Sequence, residues 1–296
     1  MYKRLLRNET LAPYTTYGIG GAADYFVTVN SSEELANAMV FARKEKLPYF
    51  VLGTGANILI GDKGFRGLVI HNQAARIRIT SNTLVAESGA TITEAIRRSL
   101  NKGLSGLEHF AGIPSSVGGA LWQNLHFLSP DRSKTVFIAE FLCSAVVLLE
   151  DNTIITVPRE FFDFGYDDSI LHHRDIIVLK ASFQLAPNTP KEIQKVIQAN
   201  LNWRSKRHPS LRSEPSCGSV FKKIDGVGAG RLIANAGLQG KAIGGAQISN
   251  QHANFIVNKG RASAQDVRHL IDLVQEKVLE ETGHKLEPEI SFVGEF

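Results

Sequence analysis

Several stretches of this chain hold residue types that can do chemistry when brought together. Thr16-Tyr17-Gly18-Ile19-Gly20-Gly21 and Leu52-Gly53-Thr54-Gly55-Ala56-Asn57 are dense enough in glycine to bring backbone N–H groups close to a diphosphate, since no Cβ blocks the approach. The same residues also suit a pair of ordinary tight turns. A dinucleotide fingerprint of the Rossmann kind is excluded, because Gly53-x-Gly55 lacks the third glycine and leads to another strand, not to a helix. Two more glycine-rich stretches follow, Gly103–Glu108 and Gly112-Ile113-Pro114-Ser115-Ser116-Val117-Gly118-Gly119-Ala120. Ser219 lies in a Gly-Ser-x-Phe turn and on its own reads as a turn residue, while Glu289 after Pro288 reads as a solvated charge beside a final strand. Lys222 and Lys223 suit a diphosphate or plain solvation. Arg204, Lys206, Arg207 and His208 form the densest basic cluster, which either complements a helix C-terminus or meets an anionic ligand. Gly226–Arg231 lacks the Gly-Lys-Ser/Thr ending of a phosphate loop and reads as a turn before a helix. The nine histidines show no metal-ligand spacing, so no metal is expected.

The elements that must position these residues alternate between helix and strand. Ser31 and Glu34 make a capping-box pattern before Leu35, Met39 and Ala42, predicting a helix over 32–45 and then a buried strand Tyr49–Leu52. The glycine loop 53–57 separates it from the apolar run Ile58–Ile60, and Gly67–His71 reads as another strand. A hairpin is expected around Ser81-Asn82, and a helix capped by Thr91 and Glu94 runs to about Lys102. Ser144–Leu149 and Thr153–Val157 predict a second hairpin across Asp151-Asn152, with Ile176–Leu185 as its third strand. Pro187 and Pro190 precede a helix at about 191–206 whose Ile193, Val196, Ile197 and Leu201 share a face, and the domain boundary is placed there. A last helix is capped by Ser263 and Asp266, buries Val267, Leu270, Ile271, Val274 and Val278, and stops at Gly283.

The bulk numbers bound the function class. A chain of 296 residues with 43% hydrophobic content suggests about two domains with substantial cores. A net charge of +4 with both signs mixed along the chain, and no recognition motif, argues against nucleic acid and leaves an anionic small ligand open. Met1–Leu11 carries Lys3, Arg4, Arg7 and Glu9 and so lacks the apolar core of a signal peptide, and no apolar stretch is long enough to span a membrane. With only Cys143 and Cys217, widely separated, no disulfide framework is expected and a reducing compartment fits.

Gly53–Asn57, Gly112-Ile113-Pro114 and Val117-Gly118-Gly119-Ala120 together resemble the FAD-binding half of the UDP-N-acetylenolpyruvoylglucosamine reductase (MurB) family. The resemblance continues through Pro215-Ser216-Cys217-Gly218-Ser219-Val220-Phe221-Lys222, Ala229–Ile233, Ala236–Gly240, Ser249, His252–Asn258 and Leu286-Glu287-Pro288-Glu289-Ile290, in order, from about Thr15 to the C-terminus. It implies an α+β fold, with an FAD-binding domain of the vanillyl-alcohol-oxidase (PCMH) type at 1–188, in lobes of about 1–72 and 73–188. A smaller α+β substrate-binding domain would follow at 189–296, its extreme C-terminus packing back on the first. FAD is the implied cofactor and NADPH the hydride donor to a UDP-N-acetylglucosamine enolpyruvate substrate, in a monomeric cytoplasmic enzyme of the shorter type. The implied FAD contacts are Gly53, Thr54, Gly55, Ala56, Asn57, Gly112, Ile113, Pro114, Ser116, Gly118, Gly119 and Ala120. The implied catalytic pair is Ser219, giving a proton to the enol intermediate, and Glu289, stabilising the developing enolate; Tyr166, Lys222 and Asn254 are implied at the substrate.

The chain departs from that pattern in a few places. Tyr166-Asp167-Asp168-Ser169 stands where the family has Tyr-Arg-x-Ser, so an anion replaces a cation beside an anionic substrate, which predicts impaired or altered catalysis. A divergent flavin-binding homologue with little reductase activity is therefore the alternative reading. Arg174, with His172 and His173, is either a substitute cation or a set of exposed loop residues. Leu125-His126-Phe127-Leu128 replaces a small, glycine- and alanine-rich continuation and adds bulk near the expected flavin. Ser115 replaces a glycine, and Lys223-Ile224 replaces Asn-Pro.

Overall fold

The computed structural model describes residues 5–129, 131–224 and 226–296. Lys3 and Arg4 of the charged N-terminal stretch lie outside them. Along the chain the elements are β1 (Leu6–Thr10), β2 (Ala22–Val29), α1 (Ser32–Lys44), β3 (Tyr49–Leu52), β4 (Ile58–Ile60), β5 (Phe65–Asn72), β6 (Ile77–Thr80), β7 (Thr83–Glu87), α2 (Ile92–Asn101), β8 (Leu104–Ser105), α3 (Val117–Trp122), β9 (His126–Leu128) and β10 (Thr135–Phe137). Then come β11 (Leu142–Leu148), β12 (Ile154–Pro158), β13 (Ile177–Gln184), β14 (Ala186–Pro187), α4 (Pro190–Arg207), α5 (Ala229–Asn235), β15 (Ala242–Ile243), β16 (Ala246–Ile248), β17 (Ile256–Asn258), α6 (Ala264–Thr282) and β18 (Ser291–Val293). The chain forms two compact units. Unit 1 is Met1–Phe26, Gly55–Val69 and Ser205–Phe296, and unit 2 is Val27–Thr54 and Ile70–Arg204.

Unit 2 is organised by an antiparallel sheet of order β12-β11-β13-β7-β6. Ala86, Ala181 and Ala145 stand opposite one another across three strands, and the two-residue period puts Leu84, Val147 and Phe183 on the same buried face. The helices α2 and α3 pack on it, contributing Ile92, Ala95, Val117, Ala120 and Leu121 to a single core. α2 begins as the sequence pattern demands, with Thr91 Oγ1 accepting from Glu94 N at 3.1 Å. The turn between β11 and β12 is set by Asp151, whose Oδ1 accepts from Thr153 N at 2.8 Å, with Asn152 in the left-handed region at φ 68°.

The contact division does not follow the boundary expected at 188/189, because Pro190–Arg204 of α4 groups with unit 2 and two N-terminal segments group with the C-terminal part. The buried face of α4 also differs from the expected one. Ile193 is buried as predicted, but Leu201 is 39% exposed and Asn200 is fully buried in its place. The reason is a specific polar need: Asn200 lies seven residues, two turns, beyond Ile193, and its Nδ2 donates to His109 O at 3.0 Å. That bond satisfies a carbonyl of the 3-10 turn Leu107–Phe110.

Unit 1 packs α6 and α5 against the antiparallel sheet β15-β16-β17. α6 opens with a full capping box of Ser263 and Asp266, buries Val267, Leu270, Ile271, Val274 and Val278, and ends at Gly283, as the sequence pattern predicts. Its first N–H groups are further tied down by Asp62, whose carboxylate accepts from Ala264 N at 2.8 Å and Gln265 N at 3.0 Å. The C-terminal strand β18 returns to pair in parallel with β4, Ser291 opposite Ile58.

Candidate active site

In unit 2 the loop after β3 meets the start of α3 closely. A Cβ at Gly53 would lie 2.5 Å from Ser116 Oγ, so a side chain there would displace the hydroxyl that caps α3, and Thr54 Oγ1 donates to Pro114 O at 3.3 Å. Ser116 caps α3, its Oγ accepting from Gly119 N at 3.2 Å, while Gly118 N donates to Ser88 O at 2.7 Å and Val117 N to Ala90 O at 2.8 Å. These N–H groups of α3 are therefore used inside the protein. What Gly118 and Gly119 contribute is a helix face without side chains, beside Gly53 and the Ser116 hydroxyl. Gly112 holds φ 85°, and a Cβ there would come within 3.1 Å of Arg204 Cδ. Burial lowers the Arg204 guanidinium to about 10. A surface free of side chains, with the Ser116 hydroxyl and the Arg204 guanidinium in the same unit, suits the diphosphate of a dinucleotide cofactor by room and by charge. Ile113 and Pro114 continue the same loop, and Ala120 is buried in the core beneath it.

Gly55, Ala56 and Asn57 belong to unit 1. A Cβ at Gly55 would collide with Tyr14 O at 2.3 Å, and Asn57 Nδ2 donates to Glu289 O at 3.4 Å. The stretch Thr16–Gly21 is likewise packed on backbone, with a Cβ at Gly21 falling 2.2 Å from Asp62 O. Of its two readings, tight turns packed on protein is the one the geometry favours.

Unit 1 gathers residues far apart in sequence. Ser219 is half-buried and follows Gly218, which holds φ 89°. Its neighbour Val220 is bonded on both sides: Val220 N donates to Asn254 O at 2.8 Å, and Glu289 N donates to Val220 O at 2.8 Å. Asn254 then clamps the next residue, its Oδ1 accepting from Phe221 N at 3.0 Å and its Nδ2 donating to Phe221 O at 2.9 Å. Lys222 N donates to Glu287 O at 2.9 Å, and Lys222 Nζ stands 4.0 Å from the Glu287 carboxylate. The turn with Ser219 and the extended segment with Glu289, just before β18, are thus held side by side by backbone bonds, and Asn254 is a clamp in that arrangement. Glu289 is close enough to add to the raising of the Cys217 thiol, which burial pushes up first. Among the described residues no group of three histidine, cysteine, aspartate or glutamate side chains is placed to hold a metal ion.

The segment 165–174, in unit 2, departs from expectation. Asp167 is not turned outward: it is 4% exposed, holds φ 54°, and its Oδ1 lies 3.5 Å from His126 Nδ1. Tyr166 is 45% exposed with its ring against His126 at 4.7 Å. Arg174 is no substitute cation, because its Nε and Nη2 donate to both oxygens of Glu150 at 2.8 and 2.9 Å. His173 Nε2 lies 3.0 Å from the Asp168 carboxylate, whose pKa is lowered against its own partial burial by that contact. His172 Nε2 donates to Trp122 O at 2.9 Å and its ring lies 4.4 Å from that of Trp122. Sequence reasoning treated Leu125–Leu128 only as bulk and so missed His126; no local spacing relates it to Asp167. The basic cluster is split as well, with Arg204 against Gly112 in unit 2 and His208 against Phe255 at 5.0 Å in unit 1. Lys223 is exposed.

Comparison with known proteins agrees in both parts of the chain. Residues 209–293 match the family described as UDP-N-acetylenolpyruvoylglucosamine reductase, C-terminal domain, and residues 23–158 match the family described as FAD binding domain. A UDP-N-acetylenolpyruvoylglucosamine reductase of Caldanaerobacter subterraneus subsp. tengcongensis is 38% identical, over 99% of this chain and 94% of its own length. That of Agathobacter rectalis is 39% identical, over 99% and 95%. The crystal structure of UDP-N-acetylenolpyruvylglucosamine reductase (MurB) from Thermus caldophilus superposes with a TM-score of 0.82 at 32% identity, covering 98% of this chain and 99% of that one.

Proposed function

Because the chain belongs to the UDP-N-acetylenolpyruvoylglucosamine reductase family, we propose that it is an NADPH-dependent flavin enzyme reducing UDP-N-acetylglucosamine enolpyruvate to UDP-N-acetylmuramate. The observation that carries this reading is similarity along nearly the whole chain, together with the backbone bond from Glu289 to Val220, which joins the turn of Ser219 to a segment 70 residues later. Bound FAD would supply the hydride chemistry between NADPH and the enolpyruvyl group. Gly53, Thr54, Gly55, Ala56, Asn57, Gly112, Ile113, Pro114, Ser116, Gly118, Gly119 and Ala120 would hold it.

The chain's own residues then have two tasks. Ser219 donates a proton to the carbon that bears the carboxylate, completing a lactyl ether, and the Asn254 clamp on Phe221 fixes the turn from which it does so. Glu289 supports the negative charge that develops on the enolate, which requires its carboxyl to be protonated or hydrogen-bonded when the substrate carboxylate arrives. Lys222 would meet the diphosphate of the substrate, and Tyr166 would contact the substrate as well. The enzyme acts as a cytoplasmic monomer, supplying a peptidoglycan precursor and thereby serving cell shape and division. No helix among the described residues is long and apolar enough to cross a membrane.

The test is anaerobic absorbance of the purified holoenzyme. NADPH should bleach the flavin and UDP-N-acetylglucosamine enolpyruvate should restore its colour. Bleaching without substrate-driven recovery would favour a flavin-binding homologue with lost reductase activity, the reading that Asp167 motivates, and a chain that cannot be reconstituted with FAD would sink both.

A further inference from the structure

Within unit 1, the connection from β16 to β17 is a closed loop that reaches the turn of Ser219. Ser249 N donates to Phe255 O at 2.8 Å and Phe255 N to His252 O at 2.9 Å, while Ser249 Oγ accepts from Gln251 N at 3.1 Å. Inside the loop Asn254 is buried, and its N–H finds its acceptor in a side chain, His252 Nδ1, at 3.2 Å. The carbonyl and the side-chain amide of Asn254 are spent on the residues after Ser219, one bond to Val220 and two to Phe221. His252 therefore holds, from the loop, the residue that holds the turn.

Accepting at Nδ1 requires an imidazole without a proton on that nitrogen. An imidazolium would set N–H against N–H and leave the buried Asn254 donor without an acceptor. The surroundings favour the neutral ring. The first turn of α5 packs on it at Gly230, where a Cβ would lie 3.2 Å from His252 Cε1 and 3.6 Å from Asn254 N. The Phe255 ring stands 5.0 Å away, and the His208 ring, just after α4, crosses it at 5.4 Å and 82°. Gly230 and Phe255 bring no charge, His208 is a titratable group that faces the ring, and Arg231 of α5 and Lys206 and Arg207 of α4 are exposed. Burial lowers the His252 imidazole from its ordinary value.

We propose that His252 is a positioning residue for the Ser219 turn, acting through Asn254, and that its protonation loosens that turn and halts the proton-donating step. The inference rests on the reductase reading above. Because the folded value is depressed, the clamp is intact through the ordinary imidazole value and is lost as pH falls to the lower one. FAD reduction by NADPH does not use the turn and does not share this acid limb.

The experiment takes holoenzyme from about pH 8 to about pH 5 with two readouts. Stopped-flow absorbance separates bleaching by NADPH from recolouring by UDP-N-acetylglucosamine enolpyruvate. Amide hydrogen exchange, corrected for its intrinsic dependence on pH, follows the peptide carrying Val220 and Phe221. In wild-type protein recolouring should fall by roughly tenfold or more below the ordinary value of 6.5, with protection of the peptide falling alongside and bleaching spared. His252→Asn, whose Oδ1 accepts the same N–H without titrating, should keep recolouring and protection flat across that range. His252→Ala should slow recolouring by roughly ten- to a hundredfold already at neutral pH and expose the peptide. His208→Phe should retain the acid limb. A limb unchanged in His252→Asn, a limb lost in His208→Phe, or a peptide equally protected in wild type and His252→Ala would each overturn the inference. Wild-type protein that bleaches but never recolours would sink the reductase reading, and the exchange readout would still decide whether His252 holds the turn.

Discussion

Ser219 is placed by its neighbours more than by its own bonds, because Asn254 holds Val220 and Phe221 on one side and Glu289 N holds Val220 O on the other. Ser219→Ala should therefore leave bleaching of the flavin by NADPH intact and slow its recolouring by substrate by about 10² to 10⁴, the span of a positioned proton donor, as stopped-flow absorbance would show. Equal loss in both half-reactions would point to a structural serine. The cysteines make a second residue-scale case. Cys143 is exposed, while Cys217 is 2% exposed with its thiol pushed up by burial. Iodoacetamide at neutral pH should label Cys143 alone in the folded protein, read by mass spectrometry. At this scale Ser219 and Glu289 were legible through resemblance only, since a serine in a glycine turn and a glutamate after a proline carry no intrinsic mark of catalysis. His126 was not legible at all.

Elements were read more successfully, and for a physical reason: caps and periodicity are local. Ser31, Thr91 and Ser263 each cap the helix predicted for them. The face of α4 was misread at Leu201 because the requirement it meets, a carbonyl of the turn Leu107–Phe110, comes from residues some 90 positions earlier. Two predictions belong here. Gly53→Ala would push a methyl to 2.5 Å from Ser116 Oγ, so the loop must shift. Its expected cost is about 1–3 kcal/mol with loss of bound flavin, measured by denaturant midpoint and the absorbance ratio of the purified protein. Asn254→Ala removes both side-chain bonds to Phe221, leaving a buried N–H and C=O to be satisfied otherwise. A loss of about 2–4 kcal/mol and a fall in substrate-driven recolouring should appear together.

Acid sensitivity is a property of the whole chain. His71 and His109 in unit 2 and His252 in unit 1 are all held below their ordinary value of 6.5, first by desolvation. Each folded-state pKa is depressed, so the unfolded chain binds more protons as pH falls through the ordinary value; the stability these groups contribute is present above it and is lost toward the lower folded values. Urea midpoints should therefore drop between about pH 7 and pH 5, and His109→Gln should flatten that dependence, whereas a profile unchanged in the variant would remove His109 from the account. At this scale the chain by itself determined the helices, the hairpins and the glycine loops, because capping, turn chemistry and hydrophobic period act within about a dozen residues. Only the tertiary structure decided that Pro190–Arg204 groups with unit 2, that Gly55 and Gly21 serve packing, and that Asp167 is buried against His126. Those outcomes depend on which backbones approach closely and which buried charges find partners, and both are settled between segments that no local pattern relates.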